Sequence, residues 1–325
     1  MDFPNLSFHR PRVDTCRTCN RLQCEIAGNS NTAKTQLELH HRKVEYSSLS
    51  MKNDFLSSPL PNSSVCCLSM DLQQVMFVPS LTHSNMFYLR QLSCYKFNVH
   101  LGDTNRSFMC MWNEGIGGRG ASEMASCLLR VLNNNVTNKK HLIIWSDNCV
   151  GQNKNKIILF VLIFFVIHGI FETVEHKFLI SGHSFMASDR DFALIEKRKR
   201  LMKAFVPKDL HEDVTSARYN PPFEVINMEI HGFWDIKSLA EEFLNTTKVN
   251  ITKSVCIRIE KECPFKTKMK QTYSDVENWQ IYNVLKKGKT LNDLKKAELL
   301  KLAPENKIND VKKKIIVVYD TVSEG

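Results

Sequence analysis

No stretch of this 325-residue sequence is apolar for long enough to cross a bilayer. The longest unbroken run, IILFVLIFFVI from Ile157 to Ile167, has eleven residues; a membrane-spanning helix needs about 20. It reads as a buried core helix. The opening residues MDFPNLSFHRPR contain no apolar signal core, and the cysteine count is odd and spread over a long chain. A secreted disulfide framework is therefore not expected, and the thiols are expected to stay reduced, in cytosol or nucleus. Acid is scarce too: 34 Asp and Glu face 44 Lys and Arg, a net charge of +10. That balance favours a polyanionic partner, nucleic acid or an anionic membrane, while saying nothing about fold. The 43% of hydrophobic and 24% of charged residues are ordinary globular values, which excludes disorder, collagen and coiled coil as descriptions of the whole chain.

The composition shifts twice along the chain. Residues 1–60 form a polar extension that carries cysteines and a helical stretch, TAKTQLELHHRKVEYSSLSMKND. Residues 61–205 alternate short β-rich runs with helical patterns. Residues 206–325 are Lys-rich, and from Glu196 to the end 25 basic residues face 19 acidic ones. In the middle block the periodicity predicts strands at 64–72, 93–101 and 107–114, a Gly-rich loop at 116–120, and a helix over ASEMASCLLRVLNN. A strand at 141–148, the apolar helix 154–168, a strand at 173–181 and a helix starting near Ser188 follow. Three strands joined by short turns should be antiparallel, and helical crossovers should add parallel strands. The expected fold is thus α/β with a mixed sheet and helices on both faces, in the element order of the ribonuclease H-like fold. Further strands and helices are expected at 220–263 and 272–303, and 312–318 reads as a terminal strand or an aggregation-prone end with lysine gatekeepers.

Acidic residues fall at informative places in this order. Asp71 lies near the end of the first strand, and Asp147 ends the strand expected to be its parallel neighbour. Two carboxylates brought together there repel one another unless cations lie between them, and Mg²⁺ takes such oxygen ligands together with phosphate. A third acid from the last helix would complete a two-metal site for phosphodiester cleavage, with Mn²⁺ as the alternative ion. Asp189 is the first choice, with Asp191 and Glu196 competing; Glu196 shares a helix face with Asp189, whereas Asp191 points away. Glu123, on the first helix, is a candidate fourth carboxylate.

The runs MDLQQVMFVPSLTHSNMFYLRQLSCYKFNVH, NEGIGGRGASEMASCLLRVLN, HLIIWSDNCVGQNKNK and EHKFLISGHSFMASDRDFALIEKRKR resemble those of a family of transposon-derived animal proteins. The N-terminal FHRPRVDTCRTCNRL and LELHHRKVE fit the same pattern. The resemblance covers nearly the whole chain to about residue 205. It implies a transposase or integrase core acting on DNA, with Asp71, Asp147, Asp189 and Glu196 in the acidic motifs.

Other residues of these motifs have two readings each. Asn148, Gln152 and Asn153 flank a turn entering a helix, where they would either contact phosphate or cap the helix. His183 would position a water or phosphate, or bond to loop backbone. Lys197, Arg198, Lys199 and Arg200 would form a nuclear localisation signal, a phosphate contact, or a solvated helix end. Cys16 and Cys19 form one CxxC, a zinc half-site with Cys24, His9, His40 and His41 as possible further ligands. The leading functional expectation is a metal-dependent nuclease or strand transferase on DNA. The second is an inactive, domesticated copy that binds nucleic acid or protein, and the third is a nuclease directed at RNA.

Overall fold

The run VCCLSMDL forms β1 (Val65–Leu72), the strand about which the rest is arranged. Its Cys66, Leu68 and Met70 pack into the largest apolar cluster on one face, while Cys67 joins a smaller cluster on the other. This division follows from the two-residue period of a strand. In the computed structural model, residues 15–80, 88, 90–136, 138–199, 203–273 and 278–286 are described. His9, Arg200, the expected helix near 290–303 and the expected terminal strand at 312–318 lie outside them.

Two helices, α1 (Arg17–Ala27) and α2 (Asn31–Ser57), precede β1. After it come β2 (Met76–Val78), β3 (Leu92–Leu101), β4 (Ser107–Asn113), α3 (Ala121–Asn135), β5 (His141–Ser146), α4 (Lys156–Ile167), β6 (Thr173–Phe178) and α5 (Ala187–Lys199). The chain continues through α6 (Pro207–Thr215), β7 (Glu224–Asn227), α7 (Ile236–Phe243), β8 (Cys256–Glu260), β9 (Lys266–Lys270) and β10 (Gln280–Asn283). β1, β3 and β4 are antiparallel neighbours, while β5 lies parallel to β1 and β6 parallel to β5, as the short turns and helical crossovers require.

The described strands form one mixed sheet of ten, ordered β10-β9-β8-β6-β5-β1-β3-β4-β7, with β2 on β3. The C-terminal region, distinguished in the sequence by its basic charge, supplies both edges: β7 adds parallel to β4, and β8 antiparallel to β6. β2, three residues long, was not expected from the sequence; its Met76 and Val78 pack with α5 and α6 residues.

One face carries α3, α4 and α7, which share the largest cluster with β1, β3 and β5. The other carries α2, α5 and α6. This arrangement explains why KIILFVLIFFVI is apolar on all sides: it is covered by the sheet and by neighbouring helices. Its twelve residues fall short of a span, and among the described residues no helix is long and apolar enough to cross a membrane. The eleven cysteines are all unpaired as thiols, most of them buried.

Candidate functional site: two clusters on one face of the sheet

β1 pairs with β5 in parallel, Ser69 opposite Trp145. Continuing that register by two residues brings Asp71 level with Asp147, and the strand period puts both on the face shared by Cys67 and Trp145. α5 crosses the same face. Ser188 Oγ lies 2.9 Å from Ser69 Oγ, which sets the first turn of α5, and Asp189 within it, beside the end of β1.

The electrostatics register this convergence. Burial, together with the charges of Asp147 and Asp189, pushes the Asp71 carboxyl up to about 7, against the opposing pull of the Leu72 N–H and Arg119. Each acid is held by its own chain. Leu72 N–H donates to Asp71 Oδ1 at 2.8 Å, and Met186 N–H to Asp189 Oδ2 at 2.6 Å. Asp147 Oδ1 accepts from Cys149 N–H at 3.0 Å and from Asn153 Nδ2 at 2.6 Å. Glu196 lies two turns along α5 and belongs to an adjoining group: it accepts from Gln73 Nε2 at 3.0 Å and faces Lys199 at 3.9 Å.

Two of the acidic candidates have other work. Glu123 receives Gly118 N–H at 3.0 Å and Gly120 N–H at 3.1 Å, which folds the IGGRG loop onto the start of α3. The expectation of a fourth catalytic carboxylate is therefore corrected: both oxygens are occupied by backbone donors that the helix end leaves without partners. Glu123→Ala should cost about 1 kcal/mol in urea denaturation, with metal-dependent activity unchanged. Asp191 is buried, and accepts from Asn98 Nδ2, His100 Nδ1, Ser107 Oγ and Arg218 Nη1 at 2.7–3.2 Å. Burial pushes its carboxyl up, but the His100, Ser107 and Asn98 hydrogen bonds outweigh this and hold it below the usual range. It is thus a structural tie between α5, β3 and β4. Asp191→Asn replaces an acceptor oxygen by a donor among these donors and should cost about 2 kcal/mol in stability, read by the same denaturation.

The polar turn after β5 also differs from expectation. Asn155 caps α4, its Oδ1 accepting from Ile157 and Ile158 N–H; the free helix N-terminus needed for a phosphate is thereby filled. Asn153 is 1% exposed, so it cannot touch a nucleic acid and instead orients Asp147. Asn148 and Gln152 are half-buried beside it. Of the basic cluster, Lys197 is exposed and Lys199 faces Glu196, while the charge of Arg198 acts on Asp213. A basic residue outside that cluster is better placed: Arg119, exposed in the IGGRG loop, bonds to Gln73 O at 3.1 Å and lies within electrostatic reach of Asp71. Its signal was the pair of flanking glycines.

The second cluster joins the N-terminal helices to the turn before α5. Cys16 caps α1, Cys19 lies in its first turn, His40 lies within α2, and His183 sits in the turn between β6 and α5. One ligand atom from each lies within 4.8 Å of the other three, so the group could hold a metal ion. Cys16 Sγ is 3.2 Å from His40 Nε2, and Cys19 Sγ is 3.4 Å from His183 Nε2. Among the described residues this is the one group of three or more Cys, His, Asp or Glu that meets the spacing; the three aspartates are more widely set. Burial, with the hydrogen bond and charge of Cys16, pushes the Cys19 thiol up. Burial and the charges of His183, His41 and Lys43 lower His40. The CxxC expectation thus gains two specific partners, one of them unforeseen. His183 faces Cys19, which displaces its expected part beside a phosphate. Cys24 is exposed and falls outside the group.

The family model described as a domain of unknown function (DUF7869) matches residues 102–277, more than half of the chain. The matched segment contains Asp147, His183 and Asp189, whereas Asp71 and the Cys16, Cys19 and His40 ligands precede it. No curated protein and no solved structure matches the sequence.

Proposed function

The chain belongs to the DUF7869 family, and for this member we propose a transposase-derived, metal-dependent nuclease or strand transferase acting on DNA phosphodiesters, built on a ribonuclease H-like core. The observation that carries the reading is the convergence of Asp71 and Asp147, at the carboxyl ends of two parallel strands, with Asp189 of α5, where burial and the two neighbouring carboxylates push Asp71 up to about 7. Such crowding costs free energy in the bare protein and is relieved by a divalent cation. Three antiparallel strands with parallel additions and helices on both faces support the fold assignment.

Asp71, Asp147 and Asp189 would hold Mg²⁺ or Mn²⁺. When bound, the divalent pair supplies positive charge at the attacking and leaving oxygens of an in-line displacement. Around it the chain's own groups position and steer. Asn153 and the Cys149 N–H fix one oxygen of Asp147, the Met186 N–H fixes Asp189, and Arg119 brings a guanidinium towards the phosphate beside Asp71. The net charge of +10 draws the polyanion in, so binding weakens steeply with salt. The Cys16, Cys19, His40 and His183 group takes Zn²⁺: two sulfurs and two imidazoles at one point are a tetrahedral zinc donor set and a poor one for Mg²⁺. Mg²⁺-dependent cutting of a labelled duplex by the purified chain tests the activity. Salt-sensitive binding with no cleavage under Mg²⁺ or Mn²⁺ would instead establish the inactive, binding-only reading for this copy.

A further inference from the structure

The four Cys and His ligands do more than gather in one place: they connect two parts of the fold whose other attachments lie elsewhere. The C-terminal half of α2 is tied to the sheet directly. Asp54 accepts from Trp145 Nε1 at 2.9 Å and Lys177 Nζ at 2.8 Å, and Ser58 Oγ accepts from Cys67 N–H at 3.0 Å. The N-terminal half of α2 and all of α1 extend beyond these ties. Among the described residues, the hydrogen bond joining α1 to the chain beyond β1 runs from Cys19 to His183, 164 residues away.

The turn that carries His183 is shaped to meet α1. Gly182 has φ +76°, and a Cβ placed on it would lie 2.5 Å from Cys16 Cα, inside any permitted contact. Only glycine allows backbone to approach backbone this closely here. From that turn the chain runs six residues to Asp189, with Met186 buried against Cys67 and Trp145 and Ser188 against Ser69.

We propose that one Zn²⁺, bound by Cys16, Cys19, His40 and His183, is a clasp that pins the α1–α2 hairpin to the turn preceding α5 and thereby holds segment 182–189, with Asp189 at its end, in place. The inference deepens the zinc assignment made above and is independent of the nuclease reading. Metal that binds the assembled site and not the released hairpin stabilises the docked state by mass action. His40, not His41, is the ligand. His41 Nε2 lies 3.7 Å from Cys19 Sγ, but it falls outside the group whose four donors share one point. Tight α1 docking and the order of the loop before α5 thus depend on a single ion.

The test uses the full chain, with zinc content measured by elemental analysis and amide hydrogen exchange followed with and without a zinc chelator. About one zinc per chain is expected in the wild type, in His41→Ala and in Cys24→Ser, and a loss of most of it in His183→Ala and Cys19→Ser. Chelation of the wild type should speed exchange at least about tenfold in α1 and in residues 182–189, leaving β1 and β5 protected. The wild-type chelation arm keeps the result interpretable should a variant fail to fold. Zinc at full occupancy in His183→Ala overturns the proposal, as does a wild-type chain that binds none. Zinc that is present and removable without faster exchange at 182–189 also overturns it, because the ion would then serve the hairpin alone. Absence of DNA cleavage in all these proteins would count against the nuclease reading and leave the clasp standing on its own two readouts.

Discussion

Asp147→Asn is expected to lower Mg²⁺-dependent cleavage of a labelled DNA duplex by about a thousandfold or more, while duplex binding and its salt dependence stay near wild type. The size follows from the place of Asp147. Extending the register of β1 and β5 sets it beside Asp71, whose carboxyl its charge raises, and one of its oxygens is already fixed by Asn153 and the Cys149 N–H. A neutral amide there weakens the hold on a divalent cation whose charge stabilises the transition state by several kcal/mol, and each tenfold in rate corresponds to about 1.4 kcal/mol. Asn153→Ala leaves the carboxylate in place without its orienting donor, so a smaller loss of about 10- to 100-fold is expected. The two variants together separate a ligand from a positioning residue. Cleavage by Asp147→Asn at the wild-type rate would remove the aspartate cluster from the reaction.

Asp71 provides the second large effect, and its sign is opposite to that of an ordinary surface carboxylate. In the folded, metal-free protein its carboxyl titrates at about 7, raised by burial and by Asp147 and Asp189, against 3.8 in the unfolded chain. Between these values the folded state holds a proton that the unfolded state has released, so stability falls as pH rises from about 4 to about 7. At about 1.4 kcal/mol per pKa unit the full penalty above pH 7 approaches about 4 kcal/mol. Asp71→Asn abolishes it. Denaturation in EDTA should therefore show the variant more stable than wild type, by a margin that grows by about 2–3 kcal/mol between pH 5 and pH 8. Added Mg²⁺ should stabilise the wild type at pH 8 and do little for the variant. A margin that does not change with pH would show that burial and its acidic neighbours do not raise the Asp71 carboxyl.

The central sheet is legible in the order of residues alone. Runs such as VCCLSMDL and HLIIWS carry the two-residue period and apolar density of buried strands, and ASEMASCLLRVLNN carries the helical period. From the order of these elements the parallel pairing of β1 and β5 follows, and with it the nearness of Asp71 and Asp147, because strand parity places both on one face. These features are local, or follow from chain connectivity, and so they are written in neighbouring residues.

The remainder depends on long-range packing. Asp189, Asp191 and Glu196 share one short helix, and their separate tasks come from what the crossing angle of α5 sets against each: a crowded carboxylate pair, a buried cluster of donors, and Gln73. Glu123 was a candidate ligand until backbone donors were seen to engage it, and Asn153 a phosphate contact or helix cap until its burial against Asp147 was seen. β7 to β10 extend a sheet whose first strand lies more than 150 residues earlier, a pairing no local period encodes. The Cys and His cluster shows the same limit. Its CxxC was visible because its ligands are three residues apart on one helical turn, whereas His183 reached it only through the fold, by way of a glycine that lets two backbones meet.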